Sequence, residues 1–84
     1  MSNSSVQVIM GRIESATKDS PIAVFKAKKA GTLNAVFANT VLTQRMIETG
    51  HPDYIGTYDA SMDRKAVRRE LQLHVLAEEV PEAA

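Results

Sequence analysis

The amino-acid sequence predicts an all-α fold, a small bundle of about four helices. Apolar residues recur at the spacing of a helix face near both ends of the chain, and Ser-Pro, Gly-Thr and Gly-His-Pro divide its middle into helix-length segments. The predicted helices span residues 5–18, 21–30, 33–49 and 61–79. The alternative is an α+β fold with short strands near 6–10 and 71–75, where apolar residues alternate.

The length and composition predict one small globular domain over residues 1–84, with frayed tails at 1–4 and 81–84. Apolar residues make up 44% of the chain and charged residues 24%, which is typical of folded domains. A domain of this size buries only about 60% of the surface that its unfolded chain exposes. Because the chain has no cysteine for a disulfide, association with a partner would supply the missing stability.

The formal net charge of zero argues against a protein that binds nucleic acid by general attraction to phosphates. The charges are nevertheless uneven: residues 1–45 carry six cations and two anions, whereas residues 46–84 carry four cations and eight anions. No apolar run approaches the roughly 20 residues of a membrane span. The N-terminus lacks the basic region of a signal peptide, so we expect a soluble cytoplasmic protein without a membrane partner.

The first predicted helix, 5–18, depends on an apolar stripe behind a capping serine. Ser5 is suited to the N-cap, and the stripe consists of Val6, Ile9, Met10, Ile13 and Ala16. Gly11 lies inside this helix and costs about 1 kcal/mol relative to alanine. The alternation of Val6, Val8 and Met10 is the basis of the competing strand.

The second predicted helix, 21–30, begins at a proline and ends at a glycine. Pro21 suits the first position of a helix with Ser20 as its N-cap, and Gly31 suits the left-handed residue that ends one. The lysines near its end are Lys26, Lys28 and Lys29. Their charges would be favourable at the negative end of the helix dipole.

The third predicted helix, 33–49, is apolar on two sides. One side carries Leu33, Val36, Phe37, Val41 and Ile47, and the other carries Ala35, Ala38, Leu42 and Met46. A helix of this kind is either central in its fold or shared with another chain. It therefore predicts a homo-oligomer or a complex with another protein.

The segment 51–60 is predicted to be a loop, and 61–79 the last helix, capped by Ser61. Aromatic residues on loops are either core anchors or contact residues. We therefore predict a protein interface formed by residues from the third helix and this loop. Its members are Leu42, Met46, Tyr54, Ile55 and Tyr58.

The last helix carries four basic residues, Arg64, Lys65, Arg68 and Arg69, at positions i, i+1, i+4 and i+5. This spacing predicts a surface for a polyanion or an acidic partner. The alternative is a solvated face whose cations pair with nearby carboxylates such as Glu48, Asp53 or Asp59. Apolar residues of this helix form two candidate stripes, one through Leu73 and one through Leu71.

A helix-turn-helix is the second functional interpretation of the middle segment. Ala27 and Gly31 have the spacing of a small contact residue followed by a turn glycine, and Phe37 falls at a core position. In that case Asn34, Asn39 and Arg45 would contact DNA bases. The near absence of cations from residues 33–49 favours an ordinary helix hairpin instead.

The sequence contains little that predicts catalysis. Cysteine is absent, no glycine-rich phosphate loop occurs, and the two histidines, His51 and His74, have no metal-binding spacing. We therefore predict a protein that is not an enzyme and has no metal, cofactor or small-molecule substrate. The leading hypothesis is an accessory or assembly subunit, of the kind encoded by phages and mobile elements, that binds protein; the alternatives are a DNA-binding regulator and a structural subunit of a larger particle.

Overall fold

The computed structural model describes residues 3–29 and 31–79, and they form an α+β fold. The elements are α1 (Asn3–Glu14), β1 (Ile22–Lys26), β2 (Leu33–Phe37), α2 (Val41–Glu48), β3 (Tyr54–Tyr58) and α3 (Arg64–Glu79). The prediction of an all-α bundle is therefore wrong. Helices form at both ends of the chain, but the middle contains a three-stranded sheet.

The sheet is antiparallel and has the strand order β2-β1-β3. β1 is the central strand, although it is the first in the chain. Since β2 and β3 lie on opposite edges, the connection through α2 crosses from one edge to the other. This crossover places α2 over one face of the sheet.

Two apolar clusters lie on the two faces of the sheet, so the domain has three layers. The larger cluster joins α1 and α3 to Ile22, Val24 and Tyr58. The smaller one joins α2 to Ala23, Phe25 and Ala38. The even-numbered side chains of β1 thus face α1 and α3, and its odd-numbered side chains face α2.

β1 replaces the predicted helix 21–30 because both of its faces are buried. Ile22, Ala23, Val24 and Phe25 are all at most 5% exposed. A short apolar run between a proline and a glycine fits a buried strand as well as a helix, and its β-branched and aromatic residues favour the strand. Gly31 has a positive φ of 84°, as predicted, but it lies in a hairpin turn rather than at a helix end.

The predicted helix 33–49 is divided into β2 and α2. Leu33 is buried whereas Asn34 is exposed, which is the alternation of a strand with one covered face. Thr40 is the N-cap of α2 and accepts a hydrogen bond from the Thr43 N–H at 3.2 Å. Each of the two apolar sides of the predicted helix is therefore divided between β2 and α2.

The C-terminus of α2 agrees with the predicted stop at Gly50. Gly50 has a φ of 75°, and its N–H donates to the Ile47 carbonyl at 3.1 Å. The His51 N–H donates to the Met46 carbonyl at 3.0 Å. These two bonds form a Schellman motif, which ends the helix and directs His51 back toward the sheet.

The predicted loop 51–60 contains β3. Tyr54 pairs with Phe25, Gly56 pairs with Val24, and Ile55 is the extra residue of a β-bulge between them. The strand is followed by a turn in which Asp59 accepts hydrogen bonds from the backbone N–H and the hydroxyl of Ser61. These bonds lower the pKa of Asp59.

The two terminal helices match the predicted ones except at their ends. α1 ends at Glu14, and α3 begins at Arg64 with the Asp63 carboxylate accepting from the Lys65 N–H at 3.0 Å. Asp63, and not Ser61, therefore caps α3. The alternative strands at 6–10 and 71–75 are wrong, because both segments are helical.

Candidate functional site

An open groove of about 330 Å³ lies between α2 and the β2 side of the sheet; we call it the α2–β2 groove. Its apolar residues are Phe25, Val36, Leu42 and Met46. Its polar residues are Lys26, Lys28, Asn34, Thr43, His51 and Asp53. The groove therefore has an apolar floor, polar sides and two lysines.

The floor is built around Phe25, whose ring is held by two neighbouring rings. The His51 ring packs edge-on against Phe25 with centroids 5.5 Å apart, and the Tyr54 ring is 5.4 Å away on a tilted axis. The hydroxyls of Tyr54 and Thr57 hydrogen bond to each other at 2.6 Å. These contacts give the floor a rigid shape, because aromatic packing and the hydrogen bond restrict both tyrosine torsions.

The lip of the groove exposes large apolar side chains. Leu42 is 71% exposed and Val36 is 38% exposed. The neighbouring Val41, the first residue of α2, is 82% exposed. Clustered exposed apolar residues next to a groove are characteristic of interaction surfaces, whereas single ones are common on any protein.

The polar side near His51 is ordered by backbone hydrogen bonds. The Asp53 N–H donates to His51 Nδ1 at 3.1 Å. The Asp53 carbonyl accepts from the Lys26 N–H at 2.9 Å. These bonds hold His51 and Asp53 at one end of the groove, and Lys28 is exposed at its rim.

The outer edge of β2 is partly occupied by side chains from α1. The Leu33 N–H donates to Ser5 Oγ at 2.9 Å, and Arg12 Nη1 donates to the Ala35 carbonyl at 3.3 Å. The Arg12 guanidinium also lies 6.0 Å from the centre of the Phe37 ring. Because these backbone groups already have partners, a foreign strand cannot extend the sheet along the whole of β2.

The structure separates the five predicted interface residues. Leu42 and Met46 lie in the α2–β2 groove, and Tyr54 packs against the Phe25 floor. Ile55 is half-buried on the opposite face of the sheet, and Tyr58 is only 5% exposed. Tyr58 is thus a core residue.

Tyr58 has a buried hydroxyl with no hydrogen-bond partner among the residues that the structure describes. Burial raises the pKa of Tyr58, and the negative charge of Glu70 acts in the same direction. In the folded protein Tyr58 therefore stays neutral at a pH where a tyrosine in the unfolded chain, with a pKa of about 10, is ionised.

We expect the stability to fall as the pH rises above about 10, because the unfolded state then releases the Tyr58 proton and the folded state keeps it. Urea unfolding at pH 8 to 11 measures this loss. Tyr58→Phe should lose less stability over this range than wild type. Equal alkaline losses in wild type and Tyr58→Phe would contradict the assignment.

The basic residues of α3 and the residues predicted to contact DNA occupy different layers. Arg64 forms an ion pair with Glu14 of α1, a carboxylate that the sequence analysis did not consider. Asn34 lies on β2, Asn39 lies in the turn after it, and Arg45 is exposed on α2. The DNA-reading helix over 33–49 does not form, so the helix-turn-helix has no structural basis.

Sequence reasoning missed Phe25, Val36 and Lys28 as groove residues. It assigned Phe25 and Lys28 to one helix and Val36 to another, which hid their proximity. The available signal was the uninterrupted apolar run 22–25, which is typical of a strand buried on both faces. A strand that is buried on both faces needs other elements packed against each face of its sheet.

Among residues 3–29 and 31–79, no three His, Asp or Glu side chains come together as metal ligands. Within the same part of the chain, none of the helices has the length and apolar character needed to cross a membrane. No protein-family model matches the chain, and comparisons with curated proteins and with solved structures find no significant match.

Proposed function

We propose that the protein is a small non-enzymatic accessory module that binds a segment of another protein in the α2–β2 groove. The observation that carries the proposal is an apolar groove whose lip exposes 71% of Leu42. A ligand that covers both this exposed leucine and the apolar floor beside it removes more apolar surface from water than one that covers either alone.

A protein segment fits this surface better than a small molecule does. The volume of about 330 Å³ is near the lower limit of ligand pockets. The exposed apolar surface continues beyond it to Val41. A small ligand would leave this lip in water, whereas a peptide could insert one side chain and cover the lip with its neighbours.

The charges of the groove favour an acidic segment with an apolar anchor. Lys28 is exposed at the rim of the groove, and Asp53 lies at one end of it. A partner carboxylate near Lys28 would complement this charge, which improves specificity and the rate of association. Because Ser5 and Arg12 occupy part of the β2 edge, we expect side-chain docking across the groove rather than strand addition.

The sequence-based argument for self-association had three parts: the helix over 33–49 with two apolar sides, the small size and the lack of disulfides. The first part no longer applies, because that helix does not form. We propose a different protein as the occupant, because an acidic segment complements the exposed Lys28 at the rim of the groove. Sedimentation of the pure chain over a range of concentrations tests this choice. A dimer that dissociates in Leu42→Glu would assign the groove to a second copy and overturn the choice of a foreign partner.

Selection from a displayed peptide library tests the proposed function. We expect enriched sequences to combine a large apolar residue with Asp or Glu. Leu42→Glu should weaken the binding of a synthetic consensus peptide at least about tenfold, since a hot-spot side chain contributes about 2 kcal/mol or more and tenfold corresponds to about 1.4 kcal/mol. The variant should fold, because Glu suits the first turn of a helix.

Two matched controls accompany this experiment. Leu73 on α3 is 62% exposed, so Leu73→Glu makes the same change on the other side of the sheet and should leave peptide binding unaltered. Lys28→Ala should weaken binding, whereas Lys29→Ala, outside the described lining, should not. Equal binding by wild type and Leu42→Glu, or a library without binders tighter than about 100 μM, would refute the proposal.

A further inference from the structure

The first half of α3 carries an exposed surface of four cations, Arg64, Lys65, Arg68 and Arg69, which we call the basic face. The buried stripe of the helix is Val67, Leu71 and Val75. At 100° per residue, the four cations cover an arc of about 140° beside this stripe. Along the axis of α3, about 6 Å separates Arg64 from Arg68 and Lys65 from Arg69.

The basic face is electrostatically unfavourable for the helix itself. Arg64 and Lys65 lie in the first turn of α3, where each cation opposes the helix dipole at a cost of a fraction of a kcal/mol. Arg64 is paired with Glu14, whereas no carboxylate in the described part of the chain forms an ion pair with Lys65, Arg68 or Arg69. A cluster in which two cations oppose the dipole and three have no ion pair in the described residues is better explained by an anionic ligand than by stability.

The composition of the face favours phosphate. Three of the four cations are arginines, whose planar guanidinium groups bind phosphate oxygens through paired hydrogen bonds. Arg64, Lys65 and Arg68 line an open depression of about 470 Å³. Among residues 64–69 the one large apolar side chain, Val67, is buried, so this part of the helix surface lacks the exposed hydrophobic centre expected of a protein interface.

The chain as a whole has no net charge, so affinity for phosphate has to come from this local cluster of cations and not from general attraction. We propose that the basic face binds the phosphate backbone of a nucleic acid, without reading its sequence. The face is on the layer formed by α1 and α3, whereas the α2–β2 groove is on the other side of the sheet. Both surfaces are therefore accessible at the same time. The protein would tether a protein partner to nucleic acid, and the two sites can be tested independently.

Fluorescence anisotropy with a labelled 20-base-pair duplex of arbitrary sequence tests the proposal. We expect a dissociation constant of about 1–100 μM at physiological salt, the range of non-specific binding. With four cations engaged, log K should fall with log salt with a slope of about −3.6, since each phosphate contact contributes about −0.9. In Arg68→Gln/Arg69→Gln the slope should become about −1.8.

The control Lys29→Gln/Arg45→Gln removes two charges away from the basic face and should retain the wild-type slope. The melting temperature of the α3 variant should not fall, because glutamine is a good helix former and both arginines are exposed. Loss of binding with retained stability separates a binding role from a structural one.

Three results would overturn this proposal. If the two double variants lose equal affinity for the duplex, the attraction depends on the net charge of the protein and not on the basic face. Equal or tighter binding of poly-glutamate of similar length would assign the face to an acidic protein. The absence of duplex binding at about 50 mM salt would exclude the nucleic-acid ligand altogether.

Discussion

Leu71→Ala is expected to destabilise the protein by about 2–5 kcal/mol, the cost of removing a buried leucine side chain and leaving a cavity. Leu71 is 0% exposed and belongs to the cluster that joins α1, α3 and the sheet. A domain of this length has a total stability of about 4–13 kcal/mol. The variant should therefore melt at least about 10 °C lower, measured by circular dichroism.

Leu73→Ala is the matched control for this prediction. Leu73 is on the same helix, two residues further on, and is 62% exposed. The same substitution there should change the stability by less than about 0.5 kcal/mol. Comparable effects at the two positions, or a larger one at Leu73, would contradict the orientation of α3.

Gly56→Ala is expected to destabilise the protein by about 1–3 kcal/mol, because it overpacks the core around Tyr58. A Cβ on Gly56 would lie 2.7 Å from the Tyr58 hydroxyl oxygen and 3.0 Å from its Cζ. The Tyr58 ring cannot move away easily, since it is buried between the sheet and α3. Urea unfolding measures the loss.

The same substitution at Gly11 should increase the stability instead of decreasing it. Gly11 is exposed in α1, and a Cβ there meets no atom within 4 Å. Alanine should therefore stabilise the helix by about 0.5–1 kcal/mol.

A double-mutant cycle tests the cause of the Gly56 effect. Tyr58→Phe removes the atom closest to the added Cβ, and it should be nearly neutral by itself because the hydroxyl has no partner in the described residues. Gly56→Ala should then cost at least about 0.5 kcal/mol less in the Tyr58→Phe background. If the effects of the two substitutions on stability are strictly additive, the cost of Gly56→Ala does not come from a clash with the Tyr58 hydroxyl.

The two proposed surfaces also differ in their dependence on salt. Binding in the α2–β2 groove depends mainly on apolar contact with Leu42 and should change little with salt, whereas binding at the basic face should weaken steeply. A single protein that retains peptide but releases duplex at high salt would be evidence for both sites together.

Some of the architecture could be predicted from local signals. The apolar stripe of α1 and the stop at Gly50 are each determined by neighbouring residues, through helical spacing and through the left-handed glycine. The helix over most of 61–79 was predicted as well, but the sequence did not indicate which of its two apolar stripes is buried. Both stripes are apolar, and only packing against the sheet buries Leu71 and exposes Leu73.

The candidate site was predicted only in fragments. Leu42 and Met46 were identified, but Phe25 and Val36 lie on neighbouring strands whose pairing joins distant parts of the chain. Tyr54 and Tyr58 looked alike in a predicted loop. The β-bulge at Ile55 and the pairing with β1 place Tyr54 on the α2 face and Tyr58 in the core.

Local sequence signals therefore account for the terminal helices, the chain reversals at Gly31 and Gly50 and the basic composition of α3, because these depend on residues within one or two turns of each other. The turn between β2 and α2 was not predicted. Long-range pairing establishes that residues 22–26, 33–37 and 54–58 are strands. The apolar run Ile22–Phe25 fits a buried helix as well as a buried strand by its length and spacing, its residue types only favour the strand, and the outcome depends on hydrogen bonds to segments far along the chain. Only when α2 covers one face of that sheet and α1 and α3 cover the other do the groove and the basic face become separate surfaces.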